Sequence, residues 1–188
     1  MMLHLIRHGR TPANEKRLYC GHTDVPLSEQ GRQDLMVLKD TVVYPVADVY
    51  ISSGLRRASE SLRILFEREP DLVIEELKEL NHGVFEMKSY DELKDDPEYQ
   101  RWIGDTYNEA SPDGESGAVF EKRVKAGLDK LLGIDADSIV AVSHGGVIAS
   151  IMERLFPGQR NFYQWQPRNG RGYTLDINKN SAELISEI

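Results

Sequence analysis

Hydrophobic residues recur as short runs, each ending in a polar or glycine-containing junction that is followed by a stretch with helical spacing. Leu3 to Ile6 form the first run, Asp48 to Ile51 the second, Leu72 to Ile74 the third and Ser138 to Val142 the fourth. Runs of this length bounded by turn residues predict strands. Between them, Ser28 followed by Glu29 and Gln30 predicts a helix start, with Leu35, Val37 and Leu38 on its buried side. Leu55 to Arg68 repeats apolar residues at Leu55, Ala58, Leu62 and Leu65. A further helix opens at Ser116, with Val119, Phe120, Val124, Leu128, Leu131 and Leu132 as its buried stripe, and another spans Val147 to Phe156. Tyr173 to Ile177 and Ala182 to Ile185 predict a closing hairpin around Asn178 to Ser181. Repeated strand, loop, helix units of this kind point to an α/β protein.

Two stretches depart from that rhythm. Ala13 to Leu27 is rich in Gly, Pro, Asn and Asp and predicts a long loop. Tyr90 to Ala110 is polar, with Tyr99, Trp102, Ile103 and Tyr107 as its apolar side, and predicts short helices acting as a lid.

Composition narrows the classes. At 188 residues, with 40% hydrophobic and 29% charged, the chain is expected to be a single domain over 1–188. A net charge of −8 opposes binding to nucleic acid or to an anionic membrane. No apolar run approaches the ~18 residues of a membrane span, and the start lacks a signal-peptide pattern. Together with a single cysteine, Cys20, this gives a cytoplasmic expectation. An anionic substrate therefore requires locally concentrated positive charge, for which Arg7, Arg10, Arg56 and Arg57 are candidates.

The junctions carry the chemistry. The first run ends in Arg7, His8 and Gly9, a guanidinium fork and an imidazole beside a residue that lets a ligand approach the backbone. The fourth ends in Ser143, His144, Gly145 and Gly146 at a helix start, a natural anion site. Arg56 and Arg57 occupy the first turn of a helix, where the dipole disfavours cations, so a functional reason is expected. Strand ends of an open α/β sheet can bring such residues together.

Arg7, His8, Gly9, Thr11 and Asn14 resemble the signature of the histidine phosphatase superfamily, also called the phosphoglycerate mutase-like family. Similar blocks follow along most of the chain. Gly21, Asp24, Pro26, Leu27, Gly31 and Gln33 resemble the segment over the family's phosphate pocket, and Ser52, Ser53, Leu55 and Arg57 fit its serine–arginine pattern, which selects Arg57 over Arg56. Leu77, Glu79, Gly83 and Glu86 resemble the block that supplies the proton donor; without it, Glu79 does not stand out from the neighbouring glutamates. Pro112, Gly114, Glu115, Ser116 and Arg123 resemble a block of the smaller phosphatases, including those acting on α-ribazole phosphate and fructose bisphosphate. Ser61, where threonine is common, Gly54 and Met87 depart from the pattern.

The resemblance implies a three-layer sandwich with a mostly parallel central sheet flanked by helices. It implies a phosphomonoester hydrolase working through a phosphohistidine on a small phosphorylated metabolite, such as α-ribazole 5'-phosphate or a sugar phosphate. His8 is then the nucleophile, Glu79 the proton donor and His144 a charged donor. Arg7, Asn14, Arg57 and the amide of Gly145 bind phosphate, and Arg10, Cys20, Gly21 and His82 are substrate-facing candidates. No cofactor or metal is expected, and the oligomeric state is open. The alternatives are a cofactor-dependent phosphoglycerate mutase, for which the chain is short, and a non-catalytic phospho-ligand sensor. A metal hydrolase using His8, His22, His82, His144, Asp24 and Glu79 lacks close ligand spacing, and Gly114 to Ala118 miss a serine nucleophile elbow.

Overall fold

The computed structural model describes residues 1–178 and 181–188. The apolar runs become strands β1 (Met2–Arg7), β2 (Val49–Ser52), β3 (Leu72–Val73) and β4 (Ser138–Ser143), and the closing segments become β5 (Gly172–Asn178) and β6 (Ser181–Glu187). They form one sheet in the order β3-β2-β4-β1-β5-β6. The first four strands of that order run parallel, while β5 and β6 are antiparallel. Residues 179 and 180, within the expected hairpin turn, lie outside the described residues.

Side chains alternate across the strands, so each face of the sheet has its own core. Leu3, Leu5, Ile139 and Ala141 pack with helices α6 (Gly117–Leu132) and α7 (Gly145–Leu155). Ile6, Val140 and Val142 pack with α2 (Glu29–Thr41) and α3 (Arg56–Phe66) on the other face. The result is the expected three-layer α/β sandwich. His4 falls on the alternate register, where its Nδ1 meets Thr174 Oγ1 at 3.0 Å, which makes it a satisfied core histidine. A third, smaller cluster of Phe85, Leu93, Tyr99 and Trp102 sits under helices α4 (Tyr90–Leu93) and α5 (Pro97–Gly104).

Several expectations need correction. The long loop over Ala13 to Leu27 begins inside a short helix, α1 (Pro12–Glu15), because Thr11 and Asn14 form a reciprocal capping box and Pro12 presets its first turn. Val37, Val119, Leu132, Ile103 and Tyr107 are exposed. On α2 the buried line runs through Gly31 and Leu35, with Leu38 half-buried beside it, and Val37 stands about 200° round from Leu35 at about 100° per residue. Val119 and Leu132 likewise flank the buried line through Phe120, Val124, Leu128 and Leu131. Ile103 and Tyr107 face a cavity instead of the core.

The arrangement that positions a site is the divergence at β1 and β4. These strands are neighbours, yet the main helix after β1, α2, packs on one face and α7, after β4, packs on the other. Such a switch opens a crevice at the carboxyl ends of the strands.

Candidate active site

Parallel pairing puts Arg7 opposite Ser143, so the two histidines that follow enter the crevice side by side. Their ring centroids are 5.1 Å apart in an edge arrangement. His8 and His144 are 5% and 0% exposed, and Arg57, delivered by the first turn of α3, is 1% exposed. The expected convergence of Arg7, His8, Arg57 and His144 is therefore met, although the sequence scatters them.

Each imidazole is held differently. His8 Nδ1 lies 2.6 Å from the Gly9 carbonyl oxygen. A carbonyl only accepts, so Nδ1 carries the proton and, in the neutral ring, Nε2 carries the lone pair. Burial, then Arg57 and Arg7, push His8 well below the ordinary histidine range, against a smaller opposing effect of the Gly9 bond. His144 Nε2 is 2.8 Å from Ser53 Oγ. Burial, Arg57, His8 and Arg7 drive its pKa well down too. Two buried guanidinium groups beside it favour the neutral ring; the expectation of a charged donor concerns His144 with phosphate in place. An incoming phosphate would oppose that field.

The arginines are half satisfied. Arg7 Nη1 donates to Pro167 O at 2.9 Å, and Arg57 donates to Thr23 O at 2.9 Å and to Gly21 O at 2.6 Å. Arg7 Nε and His144 Nδ1 are buried with no hydrogen-bond partner among the described residues. Polar nitrogens left over in one buried crevice are what an oxyanion would satisfy.

Glu79 completes the group from the loop after a 3-10 turn at Glu75–Leu77. Its Oε2 accepts from Gly146 N at 2.9 Å, and its Oε1 accepts from Leu80 N at 3.0 Å. A carboxylate there also complements the dipole of α7. The paired glycines have separate uses. A Cβ on Gly145 would come within 3.1 Å of the Arg7 guanidinium carbon, whereas one on Gly146 would overlap the Glu79 carboxylate.

Other candidates are placed as follows. Asn14 Oδ1 accepts from the Thr11 amide and hydroxyl, so only its amide nitrogen remains for a ligand. Gly21 offers its carbonyl to Arg57 and its N–H to Glu86. Asp24 accepts from the Arg56 amide at the start of α3, and the exposed Arg56 side chain pairs with the buried Glu60 carboxylate. Arg10 is exposed, 3.8 Å from Asp34 on α2. Ser61, one of the departures from the pattern, accepts from Gly9 N and so steadies the loop behind His8. Cys20 and His82 line a cavity of about 910 Å³ that reaches the group through Glu79 and Gly146. The His82 ring lies 5.1 Å from Tyr19 and 5.8 Å from Trp102.

Sequence reasoning missed the supports. Glu86 accepts from the amides of Gly21, His22, Thr23 and His82, and from the Thr23 hydroxyl at 2.6 Å. Its match to a family block was the available signal. Pro167 and Asn169, which donates to His8 O at 2.9 Å, gave none. Among the described residues, no three His, Cys, Asp or Glu side chains group as a metal site, and no helix is long and apolar enough to cross a membrane.

Comparison with known proteins shows the family and the fold. A profile of the histidine phosphatase superfamily (branch 1) matches residues 3–186. The adenosylcobalamin/alpha-ribazole phosphatase of Salmonella typhimurium is 32% identical over 98% of this chain and 94% of its own length. The crystal structure of the alpha-ribazole phosphatase from Shigella flexneri superposes with a TM-score of 0.88 at 30% identity, covering 98% of this chain and 94% of that one. A phosphoglycerate mutase structure from Thermus thermophilus gives 0.76 at 26% identity, covering 100% and 98%.

Proposed function

The chain belongs to the histidine phosphatase superfamily, branch 1, and from that premise we propose that it hydrolyses a small phosphomonoester through a phosphohistidine on His8. The observation that carries this reading is the fixed tautomer of His8: a buried neutral ring with its proton held on Nδ1 by Gly9. Its Nε2 lone pair attacks phosphorus in line while the bond to the leaving oxygen breaks. Arg7, Arg57 and His144 hold the phosphoryl oxygens, with the unpartnered Arg7 Nε and His144 Nδ1 as free contacts. Protonated Glu79 gives its proton to the departing alkoxide. As a carboxylate it then takes a proton from the water that cleaves the phosphorus–nitrogen bond.

The cavity supports a substrate class. Its wall includes Tyr19, His82, Trp102, Phe120 and Phe162, which suits a flat, uncharged leaving group, as in α-ribazole 5'-phosphate. Its charged members are Glu79, Glu121, Glu153 and Arg154, and Arg154 is already bonded to Glu121 at 3.1 Å. A second anionic group, such as the carboxylate of a phosphoglycerate, would have to compete with Glu121 for Arg154 in a wall that also carries Glu79 and Glu153, so hydrolysis is favoured over mutase chemistry. In this reading α4 and α5 form the lid that sets specificity.

The test is intact-protein mass spectrometry after mixing with p-nitrophenyl phosphate and quenching without acid, together with phosphate release. One phosphoryl group should appear transiently on the wild type and not on His8→Ala. Absence of labelling with turnover intact would refute the covalent route. Faster interconversion of phosphoglycerates than phosphate release would refute hydrolysis as the main reaction.

A further inference from the structure

Arg123, in the second turn of α6, spends all five of its N–H donors inside the protein. Its Nε donates to Glu115 Oε1 at 2.7 Å and its Nη2 to Glu115 Oε2 at 2.7 Å. Its Nη1 donates to the carbonyls of Glu76 and Lys78, both at 2.8 Å, and Nη2 donates also to the Glu79 carbonyl at 3.1 Å. Glu115 in turn accepts from the Asn81 amide at 3.0 Å and donates its own amide to Asn81 O at 2.9 Å. The segment from Glu76 to Asn81 has little regular structure beyond its single 3-10 turn. Leu77 is anchored by its buried side chain and by the Ser143 hydroxyl, which donates to its carbonyl at 2.8 Å. Beyond it, the backbone of Lys78, Glu79 and Asn81 is gripped by one bidentate ion pair that is only 18% and 13% exposed.

We propose that Arg123 and Glu115 are positioning residues for proton transfer by Glu79. With no donor left over, Arg123 does not bind substrate; it fixes the peptide that carries Glu79, so that the carboxylate lies against Gly146 at the cavity floor. This inference rests on the assignment of Glu79 as the acid. It has a signature that loss of folding lacks. An alkoxide needs a proton as it leaves, whereas p-nitrophenolate departs readily without one, so misplacing the acid hurts alkyl phosphates selectively.

The experiment measures kcat/KM, which reports the steps through leaving-group departure, for p-nitrophenyl phosphate and for an alkyl phosphate such as benzyl phosphate. Wild type, Arg123→Lys, Glu79→Gln and the double variant are compared at a temperature where thermal melts show each folded. Lysine keeps the charge but cannot reach five acceptors in two directions. Arg123→Lys should lower kcat/KM for the alkyl ester on the order of 10- to 100-fold, and for p-nitrophenyl phosphate by less than about threefold. In the Glu79→Gln background, Arg123→Lys should add little further loss on the alkyl ester. Equal losses on both esters, or a full multiplicative loss in the double variant, would overturn the positioning role. If Glu79→Gln itself shows no selectivity for the alkyl ester, the assignment of the acid fails instead. Should Arg123→Lys not fold, Glu115→Gln, which leaves the three carbonyl bonds of Arg123 in place, carries the same expectations at smaller size.

Discussion

Replacing Gly146 with alanine should separate activity from stability. A Cβ at this position would approach Glu79 Cδ to 3.1 Å and Oε2 to 3.3 Å, and would overlap Oε1 outright. The carboxylate can relieve that overlap only by retreating on the order of 1 Å, and a misplacement of that size at a reacting group is worth about 10² in rate. Folding has little reason to suffer, since the overlapping atoms are the far end of a flexible side chain at a cavity wall. Gly146 also lies in the first turn of α7 without a positive φ. Alanine there gains about 0.5–1 kcal/mol of helix stability over glycine, which raises Tm by about 2–4 °C per kcal/mol in a domain of this size. The expected result is a melt equal to or above wild type, with kcat/KM for an alkyl phosphate down about 100-fold. Gly145→Ala, whose Cβ meets only the Arg7 guanidinium at 3.1–3.3 Å, should do less to this rate and should instead weaken phosphate binding. Wild-type kcat/KM within threefold in Gly146→Ala would refute the idea that the contact between Glu79 and the Gly146 amide sets the reactive geometry.

Three further outcomes follow from titration. Because burial, Arg57 and Arg7 lower His8, and only neutral His8 has a free Nε2, the acid limb of kcat/KM should lie below the ordinary histidine range of about 6.5. Arg57→Gln should move that limb upward when compared with wild type on the same substrate, and an unmoved limb would contradict the electrostatic account. The same two histidines bear on folding: below about 6.5 the unfolded chain takes up protons that buried His8 and His144 refuse, so stability should fall as pH drops from there toward their folded values. Burial raises Glu86, but the Thr23 hydroxyl and the amides of His22, His82 and Gly21 outweigh it and hold the carboxyl below its usual range. Its contribution is full above the unfolded pKa of about 4.3 and is lost as pH falls through the lower folded value. Glu86→Gln should therefore melt earlier at neutral pH, show a shallower acid-side loss of stability, and raise KM by loosening the loop that holds Arg57; an unchanged melt at neutral pH would remove the hub role.

What the sequence disclosed and what it hid have different physical origins. The strand ends were legible because a short apolar run followed by Arg7, His8 and Gly9, or by His144, Gly145 and Gly146, has a residue-type signature, and the parallel register then places the two histidines side by side. Glu79 was legible only by resemblance, since Glu75, Glu76 and Glu86 are the same residue type nearby; what distinguishes it is the Gly146 amide, a tertiary contact. Arg123 stood in a resembling block, but its contacts, like that of Pro167, escaped for a related reason. Arg123 grips backbone carbonyls and Pro167 offers one, and every residue has a carbonyl, so neither contact writes itself into side-chain type. Val37 and Val119 misled because apolar identity alone does not say on which side of the buried stripe a residue falls.

An acidic chain that binds an anion also needs a local exception to its own charge. Arg32, Arg56, Arg63 and Arg154 each form an ion pair with a glutamate, and among the described residues Arg7 and Arg57 form none. Burying an unpaired cation is costly. Here the cost is reduced by carbonyl oxygens of Pro167, Gly21 and Thr23, which solvate the guanidinium groups without cancelling their charge. In the proposed mechanism the retained charge acts twice: it attracts the phosphoryl group and, added to burial, it lowers the pKa of His8 so that the ring is neutral when the substrate arrives. A carboxylate placed beside Arg57 would defeat both effects at once. Asp24, an acid in the loop over the crevice, is turned instead onto the Arg56 amide at the start of α3, where it complements the helix dipole and leaves the Arg57 charge uncancelled.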